Sequence, residues 1–350
     1  MLTYFVLDYA VKKNLTKNVN IKYKLAEDRI PLKNIKGVAL PPNLKIGYKN
    51  INFQKLFSRK FGETIYKFSE IMVNNFSSKN LINFYNNINE LIIKDRRKLK
   101  KLFKKFPNAS YFVFENKICI YENNIKVDLP HELFHMASSY VDLENNIEYC
   151  GFSQDIKEDL KINRIGEGIN EGYTQFMIKK YYGNDYGADC SSSYKLLMII
   201  SEKIEKILGK DKMENLYLTA NLKGLIDELS IYMKEEDIIK FINVTDYLKD
   251  NINLNNKKQV EEDQLRDSLI YISYFLISLG TLNAIKKIKY KEINFDEFID
   301  ILNEISNFGI SIKIKDKEYS TMSRELTLIL IESILKEKKL NVTEAALKNI

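Results

Sequence analysis

Residues 131–135 of this chain read His-Glu-Leu-Phe-His, and they contain the only two histidines among its 350 residues. His131 and His135 are four positions apart, and Glu132 directly follows the first of them. On an α-helix this spacing places both imidazole rings on one face, one turn apart. Two imidazoles arranged in this way can bind one metal ion, and the pattern HExxH is typical of helices that do so. The sequence therefore predicts a metal site on a helix that contains residues 131–135.

The third ligand of such a site lies elsewhere in the chain. A catalytic zinc ion usually has three protein ligands and an open fourth position, and without a third histidine the remaining ligand must be Asp, Glu or Cys. Glu171 is the candidate, with 35 residues between it and His135. The apolar residues of the segment 176–182 predict a helix that begins near its N-cap Asn170 and ends at Gly183.

The order of these motifs resembles that of the gluzincin zinc metallopeptidases, in which HExxH is followed by an Asn-Glu pair that opens a second helix. The resemblance extends from about Asp128 to Gly183. It implies that His131, His135 and Glu171 bind one zinc ion per chain. It also implies that Glu132 is the general base that activates a zinc-bound water to hydrolyse a peptide bond.

The chain departs from the gluzincin pattern at two points. Gln175 occupies the position at which many gluzincins have an aspartate that accepts a hydrogen bond from a ligating histidine. Its amide oxygen could accept the same bond, and the alternative is a glutamine on the helix surface. With no further histidine to stabilise the oxyanion, a tyrosine, arginine or lysine must do so. The candidates are Arg164, Tyr194 and Tyr217, and a packing role is the alternative for each.

Short β-rich runs precede the motif, separated by Glu-Asn and Asn-Asn turn signals: Tyr111–Phe114, Lys117–Tyr121 and Ile125–Val127. They predict a small antiparallel sheet that leads into the motif helix. We expect that helix to be capped near Asp128, to have Pro130 in its first turn and to end near Val141. Between the two helices, Ile147–Phe152 and Leu160–Ile165 predict a hairpin or a flap over the cleft.

We therefore expect an α+β fold, and the resemblance implies a zincin-like catalytic core over residues 107–186 that combines the small antiparallel sheet with two metal-bearing helices. Residues 1–106 form a mixed, mostly helical N-terminal region, and residues 187–350 form a mostly helical C-terminal lobe. Helical periodicity predicts the helices Glu63–Phe76, Leu81–Ile93, Ser193–Leu208, Met213–Met233, Glu235–Lys249, Glu261–Lys287, Phe295–Ser306 and Thr321–Lys339. Three further short elements are predicted: a strand at Leu2–Tyr9, a helix at Ile51–Phe57 and a strand at Ile310–Ile314.

Charge and hydropathy add two surface hypotheses. The net charge is +7, and its densest run, Lys94–Phe106, is a basic amphipathic helix. We interpret it as a solvated face over an apolar stripe, with contact to a membrane surface or to acidic partners as the alternative. No nucleic-acid-binding motif accompanies it.

The uncharged segment Ser268–Ile285 is near the length of a membrane span, but its polar residues favour a buried central helix.

Cysteine usage and the N-terminal residues bear on location. Cys119, Cys150 and Cys190 lack CxxC spacing, and we interpret them as small buried hydrophobic residues. Unpaired cysteines agree with a reducing compartment, and Asp8 interrupts the apolar start that a secretory signal would need. The sequence therefore predicts a cytoplasmic protein.

Three functions remain open at this point. The first is a zinc metallopeptidase acting on peptide or protein substrates. The second is a regulatory or toxin-type protease that cleaves one specific partner. The third is a non-catalytic, zinc-binding interaction protein of the same fold. Substrate preference and oligomeric state have no signal in the sequence.

Overall fold

The fold of the chain is given by a computed structural model that describes residues 59–88, 91–95, 109–121, 125–158, 161–183, 192–252, 262–308, 311–314, 317–320 and 322–340. The helices are α1 Arg59–Asn75, α2 Ile82–Ile88, α3 Ile125–Ala137, α4 Glu167–Tyr182, α5 Ser192–Leu208, α6 Lys210–Leu218, α7 Leu222–Ser230, α8 Glu235–Ile252, α9 Glu262–Lys289, α10 Phe295–Ser306 and α11 Arg324–Glu337. The strands are β1 Ile92–Asp95, β2 Ala109–Phe112, β3 Lys117–Ile120, β4 Ser139–Asp142, β5 Ile147–Cys150, β6 Ser153–Glu158, β7 Lys161–Ile165, β8 Ser311–Ile314 and β9 Lys317–Ser320. The predictions for Leu2–Tyr9, for Ile51–Phe57 and for the basic run from residue 96 to 106 lie outside the described residues.

These elements make the protein a mixed α+β fold in which helices predominate and the sheets are small, as predicted for the fold class. The first sheet has three strands in the order β1-β3-β2. Its β2–β3 pair is antiparallel, as expected, whereas β1 runs parallel to β3 with Ile93 opposite Ile118. The prediction of one helix over Leu81–Ile93 is therefore wrong at its C-terminal end. The pairing partner of Ile93 is distant in sequence, so local periodicity does not reveal it.

The motif helix α3 begins earlier and ends earlier than expected. Ile125, Leu129 and Leu133 recur every four residues and are all buried, so the segment 125–127 forms the first turn of a helix and not the predicted strand. Pro130 consequently lies inside the helix, beyond its first turn. The helix ends at Ala137, and the segment 139–142, predicted as the last helical turn, is strand β4.

A four-stranded antiparallel meander, β4-β5-β6-β7, connects α3 to α4. It replaces the single hairpin or flap expected from the sequence. The rings of Tyr140 and Tyr149, opposite each other on β4 and β5, stack with centroids 4.6 Å apart. Cys150 ends β5 opposite Ser139, which brings the end of this strand next to the end of α3.

The described residues after 191 are mostly helical, as predicted for the C-terminal part of the chain. The predicted helix Met213–Met233 is two helices, because Ala220 adopts a left-handed φ of 51° and Asn221 caps α7 by accepting a hydrogen bond from the Gly224 N–H. The predicted strand near residue 312 is confirmed as β8, which pairs with β9. Helix α4 packs against α5 and α8 of this region.

Helix α9 is long and apolar enough to cross a membrane by length and composition, but 83% of its most apolar window is buried inside the protein. It packs against α8, α10 and α11 as a core helix, in agreement with the predicted buried central helix. One continuous hydrophobic core extends from Ile65 on α1 to Leu335 on α11 and includes the buried faces of α3 and α4. The cytoplasmic location stays a prediction.

Candidate metal centre

Three side chains on α3 and α4 converge on one point. The Nε2 atoms of His131 and His135 are 2.9 Å apart, and the two carboxylate oxygens of Glu171 lie 2.9 Å from His131 Nε2 and 3.3 Å from His135 Nε2. All three side chains are largely buried, with exposures between 8% and 15%. Within the described part of the chain, these residues form the one group of three or more His, Cys, Asp or Glu side chains close enough to share a metal ion.

The triangle of donor atoms has the size that a small tetrahedral ion requires. Ligands at about 2.0–2.1 Å from zinc are separated from one another by about 3.3 Å in tetrahedral geometry. The distances between the residues' donor atoms are 2.9, 2.9 and 3.3 Å, with a different oxygen of Glu171 nearest to each imidazole, and they are slightly shorter but similar. Two imidazole lone pairs that face each other at 2.9 Å repel unless a proton or a cation lies between them. The donor set therefore fits a metal ion.

The position of the two histidines follows from the core packing of α3. Leu129, Leu133, Phe134 and Ala137 are fully buried, and the Phe134 ring packs edge-on against Phe68 of α1 at 5.0 Å. This packing fixes the rotation of the helix about its axis. The opposite face, with the histidines one turn apart, then points towards α4.

Glu171 reaches the histidines because α4 approaches its neighbours at backbone distance. A Cβ added to Gly168 would lie 2.2 Å from the carbonyl oxygen of Thr245 on α8, and one added to Gly172 would lie 2.5 Å from the carbonyl oxygen of Leu197 on α5. Only glycine permits these approaches. The two glycines on either side of Glu171 therefore hold its helix against α8 and α5.

The N-terminus of α4 is capped from another helix. The sequence predicted Asn170 as the N-cap, but the helix begins at Glu167, and its N-cap residue, Gly166, has no side chain with which to cap it. Asp246 of α8 accepts hydrogen bonds from the backbone N–H groups of Gly166 at 2.9 Å and Gly168 at 2.6 Å. A carboxylate at this position satisfies two otherwise unpaired donors and interacts favourably with the helix dipole.

Burial and charge act in opposite directions on the ionisable groups of the site. Burial raises the pKa of Glu132 above its ordinary value, although His131 and His135 lower it. Burial would also raise the pKa of Glu171, but both histidines, by charge and by hydrogen bonding, hold it well below its ordinary value. Glu132 is thus a second buried carboxylate beside the triangle, in an environment different from that of Glu171.

Tyr194 is the only oxyanion candidate of the three whose hydroxyl lies at the donor triangle. Its ring centroid is 5.9 Å from that of His131, and its hydroxyl donates a hydrogen bond to Glu171. The negative charge of Glu171, together with burial and the charge of Glu132, raises the pKa of Tyr194. The phenol therefore stays protonated and can donate.

The other candidates lie elsewhere. Arg164 makes a bidentate ion pair with Asp155 and a further pair with Glu167, so its donors are already engaged. Tyr217 is fully buried, and its hydroxyl is 2.6 Å from Thr174 Oγ1. Gln175 is buried, and among the described residues no hydrogen bond joins it to either imidazole.

Two residues near His135 were missed by sequence reasoning. The Sγ atom of Cys150 and the Nδ2 atom of Asn170 each lie 3.4 Å from His135 Nδ1. Cys150 has no motif spacing, and only a packing role was predicted for it. Asn170 was predicted as a helix cap, and its place one residue before Glu171 is the only signal that could have indicated contact with the site.

Comparison of the chain with protein-family models, with curated proteins and with solved structures finds no match in any of the three. A functional site is therefore inferred from its geometry. It establishes a buried cluster of His131, His135 and Glu171 that could bind a metal ion.

Proposed function

We propose that this protein is a zinc-dependent metallopeptidase, with His131, His135 and Glu171 as ligands of one zinc ion and Glu132 as general base. The observation that supports this most is the convergence of two imidazoles and one carboxylate, beside a second carboxylate that is not part of the triangle. Three ligands of this kind leave a fourth position open, as in hydrolytic zinc sites, whereas structural sites usually have four Cys or His ligands.

Each residue has a distinct role in this proposal. A bound zinc ion would acidify a water molecule and polarise the carbonyl of the scissile bond. Glu132 would take the proton of the attacking water and later deliver it to the leaving amine nitrogen. The raised pKa of Glu132, caused by burial, suits both transfers because a general base works best when its pKa approaches the working pH.

Tyr194 is the residue that we assign to the oxyanion. Its hydroxyl is protonated, lies beside Glu171 and belongs to a helix, α5, that packs tightly on α4. In the zinc-bound site the carboxylate of Glu171 would bind the metal, and the single O–H of Tyr194 would then be free to donate to the carbonyl oxygen and stabilise the negative charge that develops there. Arg164 is not assigned this role because Asp155 and Glu167 already occupy its guanidinium.

The decisive experiment compares Glu132→Gln with the wild type for zinc content and for cleavage of a peptide library. We expect about one zinc ion per chain in both proteins and a loss of turnover of about 10²-fold or more in the variant. Glu144→Gln, on an exposed turn, is the matched control and should cleave like the wild type. Near-normal turnover by Glu132→Gln would exclude Glu132 as the base.

A further inference from the structure

The imidazole of His135 contacts Cys150 on the side away from Glu171, although the sequence predicts only a packing role for that cysteine. The Nδ1 atom of this ring faces the thiol of Cys150, with a distance of 3.4 Å to Sγ, while its Nε2 atom faces His131 and Glu171. We propose that Cys150 is a positioning residue whose sulfur accepts the Nδ1–H proton of His135 and so presents Nε2 as the metal ligand. This inference rests on the proposed function, because it concerns how that site is held in its binding form.

Asn170 identifies the sulfur as the acceptor. The Oδ1 atom of Asn170 accepts a hydrogen bond from the Phe152 N–H at 3.1 Å, which fixes the orientation of the amide. The Nδ2 group therefore points towards His135 Nδ1 at 3.4 Å and towards Cys150 Sγ at 3.9 Å. When Nε2 serves as the metal ligand, the neutral ring of His135 carries its proton on Nδ1. An amide NH₂ group donates and cannot accept, so among the described residues the sulfur is the acceptor within reach of that proton.

The proton of the thiol has its own acceptor. Cys150 Sγ lies 3.6 Å from the backbone carbonyl oxygen of His135, which can accept the S–H. The sulfur thus donates to the backbone of His135 and accepts from its ring. A neutral thiol satisfies both contacts at once.

The backbone around Cys150 leaves it little freedom to move. The next residue, Gly151, donates its N–H to the Ser138 carbonyl at 2.8 Å and has a left-handed φ of 54°. A Cβ at Gly151 would lie 2.1 Å from Asn170 Oδ1 and 2.5 Å from the ring of Tyr217. Because the turn after β5 is this tightly enclosed, the backbone of Cys150 is held next to the end of α3, within reach of the imidazole of His135.

A ligating histidine usually donates its second ring proton to a carboxylate, a backbone carbonyl or water, and such partners change metal affinity by about 10–100-fold. Sulfur is a weaker acceptor than any of these. It still selects the tautomer in which Nδ1 bears the proton and Nε2 has a free lone pair. Cys150→Ala should therefore weaken zinc binding by about 10-fold, and Cys150→Ser should restore part of the affinity because a hydroxyl also accepts.

The test uses the full chain with ¹⁵N-labelled histidine, in which only two imidazoles give signals. Long-range proton–nitrogen correlations report which ring nitrogens of His135 are protonated, with and without zinc. We expect a protonated Nδ1 in the wild type, with a resonance that shifts in Cys150→Ala. Zinc affinity is measured in parallel by competition with a chelator for the wild type, both Cys150 variants and Cys119→Ser, a control at a buried cysteine of β3.

The outcomes separate this inference from the proposed function. A wild type that binds no zinc contradicts the proposed function, while the resonance of Nδ1 still tests the role of Cys150. An unprotonated Nδ1 overturns the inference, as does a Cys150→Ala variant with wild-type zinc affinity. Equal losses of affinity in Cys150→Ala and Cys119→Ser also overturn it, because they would indicate general destabilisation.

Discussion

The carboxylate of Asp246 accepts a hydrogen bond of 2.6 Å from the backbone N–H of Gly168, three residues before Glu171. Asp246 is on α8, and Glu171 is in the first half of α4, so this contact connects the C-terminal helices to a candidate metal ligand. The chain around Gly168 is held by a second contact, since its Cα lies against the Thr245 carbonyl. The position of Glu171 therefore depends on residues distant from it in sequence.

The capping role of Asp246 predicts a pH dependence of stability. Burial raises the pKa of Asp246 to about 7, against the lowering effect of the Gly168 and Gly166 N–H groups. Between about pH 4 and pH 7 the folded chain thus keeps a proton that the unfolded chain has lost, so the free energy of unfolding falls as the pH rises through this window. Asp246→Asn cannot ionise at this position, so its free energy of unfolding should not show this decrease with pH.

Urea unfolding of metal-free wild type and Asp246→Asn at several pH values measures this effect. From pH 5 to pH 8 the wild type should lose up to about 3 kcal/mol relative to the variant. The control is Asp250→Asn, which removes an exposed carboxylate from the same helix. A difference between wild type and Asp246→Asn that is independent of pH would contradict the prediction.

Gly168→Ala should destabilise the protein and weaken its metal site together. The new methyl group would lie 2.2 Å from the backbone oxygen of Thr245, so α4 and α8 must move apart. We expect a loss of about 2–4 kcal/mol in the free energy of unfolding and at least about 10-fold weaker zinc binding. Gly280→Ala is the control, because the atoms nearest to its methyl group would belong to the side chains of Ile305 and Ile207, at 3.0 Å or more, and not to the backbone. If folded Gly168→Ala binds zinc as tightly as the wild type, the close contact between α4 and α8 at Gly168 does not position Glu171.

Glu171→Ala should abolish the stabilisation of the protein by zinc. An ion that binds only the folded chain raises its stability by about 2.7 kcal/mol at 100 times the dissociation constant. The wild type should therefore unfold at a higher temperature with zinc, and Glu171→Ala should show no such rise. Elemental analysis of both proteins, with Glu202→Ala of α5 as control, gives the metal content directly. Zinc retained by Glu171→Ala would mean that another residue is the third ligand.

Tyr194→Phe should lower kcat with little change in KM. The phenyl ring keeps the packing against His131 but removes the hydroxyl that donates to Glu171. Loss of an oxyanion donor costs about 10²-fold in kcat. The control is Tyr290→Phe, whose ring is 70% exposed. Loss of zinc from Tyr194→Phe would instead indicate that the hydroxyl acts by orienting Glu171.

The errors in the secondary-structure predictions share a physical cause. Ile125–Val127 has the composition of a strand, but Ile125 is buried at helical spacing from Leu129, and packing outweighs the weak intrinsic preference. Ile92 and Ile93 continue a helical pattern locally, yet they pair with β3 across a long stretch of chain. Propensity acts over a few residues, whereas these outcomes were decided by partners far away in sequence.

The sequence by itself determined the two histidines on one helical face, because the spacing of residues on a helix is a local property, and it indicated Glu171 by its place at the start of a second helix. Only the tertiary structure decided that Glu171 meets both imidazoles, since this required the backbone contacts of Gly168 and Gly172 and the cap from Asp246. It also decided that Tyr194, and neither Arg164 nor Tyr217, lies at the donor triangle, and that Cys150 contacts His135. Those contacts depend on how helices and sheets pack against one another, and no local pattern of residues encodes them.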